Sequence, residues 1–214
     1  GHNWSRARSG IILDGETGTT RLANQPAGVT YQNNALTVTA GDTFTVPPSV
    51  PFQLAGPITV SAMGTLAIPG GGQIDTATGN GAIIIEEGGE LQLTASAEDR
   101  LTIGSEGESW NGITVAGRLS GGYLTLVGGS LALNADFGDL DGLALEQASG
   151  PLSVAGSGHL TALNFQSDEH GIVVSGGAGR LSGTVDSGGD LDVNFTDPTL
   201  CDAWDVSGLR RADN

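Results

Sequence analysis

The 214 residues carry a formal net charge of −16, with 24 acidic side chains against eight basic ones, all of them arginine. That field repels phosphate backbones and anionic headgroups, which argues against a nucleic-acid partner and leaves cations, calcium above all, as the favoured counter-species. Hydrophobic residues make up 38% and aromatics 5%, so a core has to be built from Val, Ile, Leu and Ala on thin elements.

The 36 glycines imply very frequent turns, but they do not recur at every third position, which excludes collagen. Regular apolar triplets such as Ile83-Ile84-Ile85 separate the chain from disordered acidic sequences. No stretch approaches the ~20 apolar residues of a membrane helix, so membrane insertion is not expected.

Residues 1–35 form an aberrant N-terminal arm. The start at Gly1-His2, without Met or an apolar leader, fits a mature secreted form or a cleaved tag. Trp4, Arg6 and Arg8 lead into an isolated apolar strand at Ile11, Ile12 and Leu13. Such an arm can fold back as a cap or add to the sheet edge of a neighbouring subunit. Arg6, Arg8 and Arg21 place three of the eight positive charges here, opposite an acidic target, which favours the second course and marks an assembly arm.

From residue 36 onward helix signals are nearly absent and strand signals are everywhere. Leu36-Thr37-Val38-Thr39, Phe44-Thr45-Val46 and Leu91-Gln92-Leu93 alternate apolar with polar, as half-buried strands do. A phrase recurs: an apolar triplet, a short turn, then Gly-x-Leu. It reads Ile58-Thr59-Val60 then Gly64-Thr65-Leu66, Ile83-Ile84-Ile85 then Gly89-Glu90-Leu91, and Ile113-Thr114-Val115 then Gly117-Arg118-Leu119. It returns as Leu124-Thr125-Leu126 then Gly129-Ser130-Leu131, and as Ile172-Val173-Val174 then Gly179-Arg180-Leu181.

Taking Leu36, Ile58, Ile83, Leu101, Leu124, Leu143, Ile172 and Leu191 as corresponding starts gives a mean step of about 22 residues, the size of one solenoid coil. The expected fold is all-β, a right-handed parallel β-helix of about seven to eight coils over residues 36–198. A β-sandwich is the competing reading, since it too uses many short strands. It does not account for the phrase, nor for irregular loops such as 95–100 and 104–109 between matching units.

Residues 199–214, with Trp204 and Arg210-Arg211, read as a C-terminal cap. Cys201, the only cysteine, cannot form an intramolecular disulfide and reads as a small buried core thiol.

The run Leu36 to Pro48, followed by Ile58-Thr59-Val60 and Gly64-Thr65-Leu66, resembles the opening coils of bacterial extracellular parallel β-helix repeat proteins. Ser109-Trp110-Asn111-Gly112-Ile113 is similar to that group's W-x-G-I coil. The likeness covers roughly residues 35–195. It implies a solenoid, at an extracellular or cell-surface location, in a group that holds adhesins, surface-layer and fibre proteins as well as polysaccharide-active enzymes.

Polysaccharide chemistry on such a fold needs paired carboxylates, or calcium with a basic residue, on one face. Asp168-Glu169-His170-Gly171 is similar to the His-Gly element of polygalacturonase-like enzymes, and Asp186, Asp190 and Asp192 follow about one coil later. Asp168, Glu169, Asp186 and Asp190 are the candidate catalytic set of that reading, although the Asn-Thr-Asp, Asp-Asp and Arg-Ile-Lys elements are missing. No Gly-x-Ser-x-Gly elbow and no zinc-like spacing of the three histidines occurs.

Asn134, Asp136, Asp139 and Asp141 put hard oxygen donors in a Gly-rich turn and form the candidate calcium site, though no Glu closes an EF-hand loop. No cofactor is required. The pairs Thr37/Thr39 and Thr43/Thr45 do not recur in successive coils, and ordinary β-propensity explains them. The functional expectation is a secreted, non-enzymatic structural or adhesive subunit that self-associates into a filament or surface layer. The alternative is a protein that binds or degrades glycans.

Overall fold

The computed structural model describes residues 6–7, 10–11, 29–32, 35–39, 41–46, 52–54, 56–76, 81–166, 170–186 and 193–211. The chain winds into a parallel β-solenoid of about seven turns. Stacked strands form three faces around one apolar core.

The first face carries the apolar triplets: Ala35–Val38, Pro57–Val60, Ala82–Ile85, Ile113–Val115, Leu131–Leu133, Leu152–Val154, Ile172–Val174 and Val193–Phe195. The second holds Thr43–Thr45, Thr65–Pro69, Glu90–Thr94, Arg118–Gly122 and Gly138–Asp141. The third holds Phe52–Leu54, Gln73–Thr76, Leu101–Ile103, Leu124–Val127 and Ala144–Glu146. From Gly158 onward one bent strand per coil, Gly158–Gln166, Gly179–Asp186 and Trp204–Arg211, serves the second and third faces together and joins them into a single sheet.

Period-2 alternation explains why these segments form strands and which side they bury. Leu36, Ile58, Ile83, Ile113, Leu131, Leu152 and Ile172 stack in register, each 0–2% exposed. The intervening Thr37, Thr59 and Thr114 face outward and are half-buried. Parallel pairing throughout the stack rules out the sandwich, whose sheets are antiparallel. Seven steps at the spacing of sheet neighbours make a rod roughly 35 Å long.

Three of the eight expected coil starts fall on another face. Leu101 and Leu124 open third-face strands, and Leu143 immediately precedes one. Their first-face counterparts are Ile113, Leu131 and Leu152. The mean step survives because every face recurs with the same period, so substituting one face for another shifts the phase and not the repeat. The phrase at Leu124 to Leu131 therefore joins a third-face strand to a first-face strand. Leu191 lies outside the described residues. Individual steps are unequal: Ile113 to Leu131 is the shortest and Ile83 to Ile113 the longest, because the latter carries the loops at 95–100 and 104–112.

In three successive coils the bend between the second and third faces is made by one left-handed residue: Tyr123 at φ 56°, Gly142 at φ 64° and Ala162 at φ 50°. They stack, with the Tyr123 N–H donating to the Asp141 carbonyl and the Gly142 N–H to the Thr161 carbonyl. The Tyr123 ring lies over Gly142 and fills the space where a side chain there would stand.

Two terminal segments differ from expectation. Trp204–Arg211, placed in a C-terminal cap, is a parallel rung of the solenoid itself, in register with Gly179–Asp186. Cys201 is exposed and not a core thiol. It sits in a 3₁₀ turn, Pro198–Asp202, started by Asp197 accepting from the Thr199 N–H, and none of that turn's residues is buried. The turn carries the chain around the outside of a corner, where a small side chain has no core to enter.

In the N-terminal arm, Arg6–Ala7 pairs antiparallel with Gly10–Ile11, and Ile11 pairs with Phe52 at the edge of the third face. Val29–Gln32 turns back antiparallel onto Ala35–Val38 at the edge of the first. The described part of the arm thus lies along its own rod. Trp4, Arg8, Ile12 and Leu13 lie outside the described residues.

Candidate functional site

Among the described residues, a set of connected polar contacts lies on the outer side of the bend between the second and third faces, where side chains of successive coils meet their neighbours above and below. Arg100 ends the 95–100 loop and lays its guanidinium across the next two coils. Its Nε donates to Thr125 Oγ1 at 3.1 Å, and its Nη2 donates to the Leu124 carbonyl at 3.2 Å and to the Gly142 carbonyl. Tyr123 OH donates to Asp141 Oδ2 at 2.8 Å, and Thr161 Oγ1 donates to Asp141 Oδ1 at 2.9 Å.

These contacts fix the charge state of the carboxylate. The Tyr123 hydroxyl, then that of Thr161, holds the Asp141 pKa below its ordinary value, with a smaller favourable contribution from the Arg100 charge. The same bond to Asp141 raises the Tyr123 pKa, because the phenolate would face a carboxylate. The result is an ionised Asp141 and a neutral Tyr123, a pair built to hold position.

The four residues expected to bind calcium have separate partners. The Asn134 N–H donates to the Val115 carbonyl at the end of a first-face strand. Asp136 Oδ1 accepts from the Ser157 N–H at 2.7 Å and so fastens one corner to the next. Asp139 and Asp141 alternate on the outward side of Gly138–Asp141, with Leu140 buried between them. Asp139 Oδ1 meets His159 Nδ1 at 2.9 Å, with the Asp139 side chain 87% exposed. Among the described residues no three His, Cys, Asp or Glu side chains converge as a metal-binding group.

Of the candidate catalytic set, Asp186 ends Gly179–Asp186 in register with Gln166 one coil earlier. Asp168, Glu169 and Asp190 lie outside the described residues. A groove of about 470 Å³ opens on the first face, lined by Gly171, Ile172, Val173, Val193 and Asn194. It begins just after Glu169 in the sequence.

Trp110, noted in the W-x-G-I coil, is 3% exposed and closes the corner between the third and first faces. Its Nε1 donates to the Val127 carbonyl at 2.9 Å, its ring covers Gly129, and its carbonyl accepts from Ser149 Oγ at 3.3 Å. Arg100, Tyr123 and Thr161 carried no expectation. Thr161 does follow Asp141 at the interval of one coil, and that spacing was the available signal. No family model, curated protein or solved structure matches this chain.

Proposed function

We propose that this chain is a structural or adhesive β-solenoid subunit of the extracellular space or cell surface, and that it self-associates. The observation supporting this reading is the use made of outward polar side chains. Asp136 with Ser157, Asp139 with His159, Asp141 with Tyr123 and Thr161, Arg118 and Ser120 with Glu90, and Arg180 with Asp205 each tie one coil to the next. Such ties stiffen a rod and suit a load-bearing or surface-displayed element. Calcium, where bound, would add a further tie through Asp139. Thermal melting with and without millimolar calcium tests this, and an unchanged melting temperature discards it.

The deciding experiment for the main reading is light scattering with negative-stain imaging across a concentration series. Oligomers or filaments are expected, and a monomer at every concentration would sink the reading.

The groove on the first face favours one alternative, a protein that binds or degrades a glycan, for which the sequence offers Asp168, Glu169, Asp186 and Asp190 as the carboxylates. A polysaccharide screen with reducing-sugar readout separates the two. Release of reducing ends that disappears in Asp168→Asn and Glu169→Gln variants would establish the alternative.

A further inference from the structure

The three faces of the rod differ in the charge they present. The parallel strands of the first face contain no Asp, Glu, Arg or His. The second face carries Glu90, Arg118, Asp139 and Asp141 within its strands, and the third carries Asp75 and Glu146. In a chain of net charge −16, one face is therefore left neutral along the length of the stack.

That face also holds an exposed apolar side chain. Ile84 is 37% exposed and heads a column in which Thr114, Ala132, Ser153 and Val173 follow in register, each half-buried and turned outward. Among the described residues only Ile84 and Met63 are large hydrophobics standing in solvent, and Met63 lies in the turn that leaves this face for the second.

A neutral sheet face of this kind can pack on another sheet at the roughly 10 Å spacing of a sandwich. Charge selects the occupant. Two copies of so acidic a chain repel one another, and across the first-face strands they approach without setting one fixed charge against another. The area agrees: seven rung spacings by about five residues give roughly 35 by 16 Å, so two copies would cover about 1,100 Å² between them, enough for a specific interface.

The column sets the orientation. About a two-fold axis that crosses the face at Ala132, the rods run antiparallel, and Ile84 of each copy stands over Val173 of the other. Thr114 then stands over Ser153, and Ala132 over its own copy. Apolar meets apolar and hydroxyl meets hydroxyl, and the two bulky pairs lie at equal distances from the axis, so the sheets stay level. Glu86 and Glu87, at the corner beside Ile84, come to lie across from the uncharged run Ser175-Gly176-Gly177. Parallel rods would set Ile84 on Ile84 and wedge the sheets apart at one end.

We infer that two copies pack first face against first face, as antiparallel rods about an axis at Ala132. The inference rests on the reading of the chain as a self-associating subunit, and it assigns the association to the first face in place of the N-terminal arm. The dimer covers the groove at Val173, so it competes with the glycan reading for one surface.

Sedimentation equilibrium over a concentration series tests it, with circular dichroism to check that each variant keeps its strand content. Ala132→Arg sets two guanidinium groups against each other on the axis and should weaken the dimer about a hundredfold. Gln92→Arg, at an exposed position of the second face, should leave it unchanged. A pair of substitutions reads the register. Thr114→Arg alone and Ser153→Asp alone should each weaken the dimer about tenfold, and the double variant should restore it, because each new arginine then faces a new aspartate of the other copy. Parallel rods would set like charges together and give no restoration.

Oligomers that do not respond to Ala132→Arg, or that the double variant fails to restore, would overturn this interface and leave self-association standing. A wild-type monomer at every concentration would overturn both. If that monomer is retained on microcrystalline cellulose and Ala132→Arg releases it, the face is a glycan platform and not a dimer interface.

Discussion

The middle coils and the last described coil each stack a first-face triplet with apolar ends, yet they differ in how completely they bury it. In the middle, Leu131 and Leu133 lie between rungs on both sides and are 1% and 0% exposed. In the last coil, Val193 and Phe195 have a rung on one side only and remain half-buried. The contrast shows that a coil of this type is half a structure. Its apolar residues are completed by its neighbours, and the local sequence alone does not determine how much each residue stabilises.

The largest expected effects are in the middle. Gly112 has φ 81°, and an added side chain would run into the backbone of Ser130 on the next rung. Gly112→Val should therefore prevent this coil from closing, with a loss above about 3 kcal/mol that shows as unfolding or insolubility on expression. Trp110→Ala should cost about 3–5 kcal/mol by opening a cavity at the corner and stranding the Val127 carbonyl. Denaturant melts measure it directly.

The comparison itself is tested by one pair. Leu133→Ala, with a rung on either side, should cost about 2–5 kcal/mol. Leu209→Ala, in the last coil, should cost only about 1 kcal/mol at concentrations where the chain is monomeric. Equal losses would break the distinction between middle and end.

Smaller still is Asp141→Asn, which leaves one coil-to-coil hydrogen bond weakened and should cost about 1 kcal/mol. Its signature lies in acid. Because folding lowers the Asp141 pKa, its stabilisation is present above the carboxylate range and fades as pH falls through the folded pKa, below about pH 4. The variant should show a shallower decline of melting temperature in that range. Asp205, held low by its bonds to the Ser207 hydroxyl and N–H and by Arg180, acts in the same direction at the exposed end. Asp205→Asn should change the acid profile least, by an amount that only a side-by-side pH series resolves.

The alternation of Ile58-Thr59-Val60 and the return of Gly-x-Leu made the solenoid and its period readable without coordinates. The phase was not, because Leu101 and Leu124 have the same apolar-polar-apolar pattern on the third face as Ile113 and Leu131 on the first. Nothing in a triplet records which face it belongs to. The bend at Tyr123 was hidden for a different reason: a left-handed tyrosine is held by the stack above and below it, and propensity would place the ring in a strand. Asp139 and Asp141 were visible as oxygen donors, but their partners His159 and Thr161 lie one coil away and become neighbours only after winding. Cys201, between Leu200 and Asp202 and close to Trp204, resembles core until the turn that carries it is seen to run outside.

The long contour of each coil, set against its small rise, has a mechanical consequence. Each coil adds only about 4.8 Å to the rod, but the stretch from Leu131 to Leu152 would span roughly 70 Å if drawn out. A pull along the axis would peel the chain one rung at a time from a free end, releasing far more length than each rung occupied. Anchored at a surface, such a rod would yield under load by lengthening in small steps and would absorb work at each one before its tether broke.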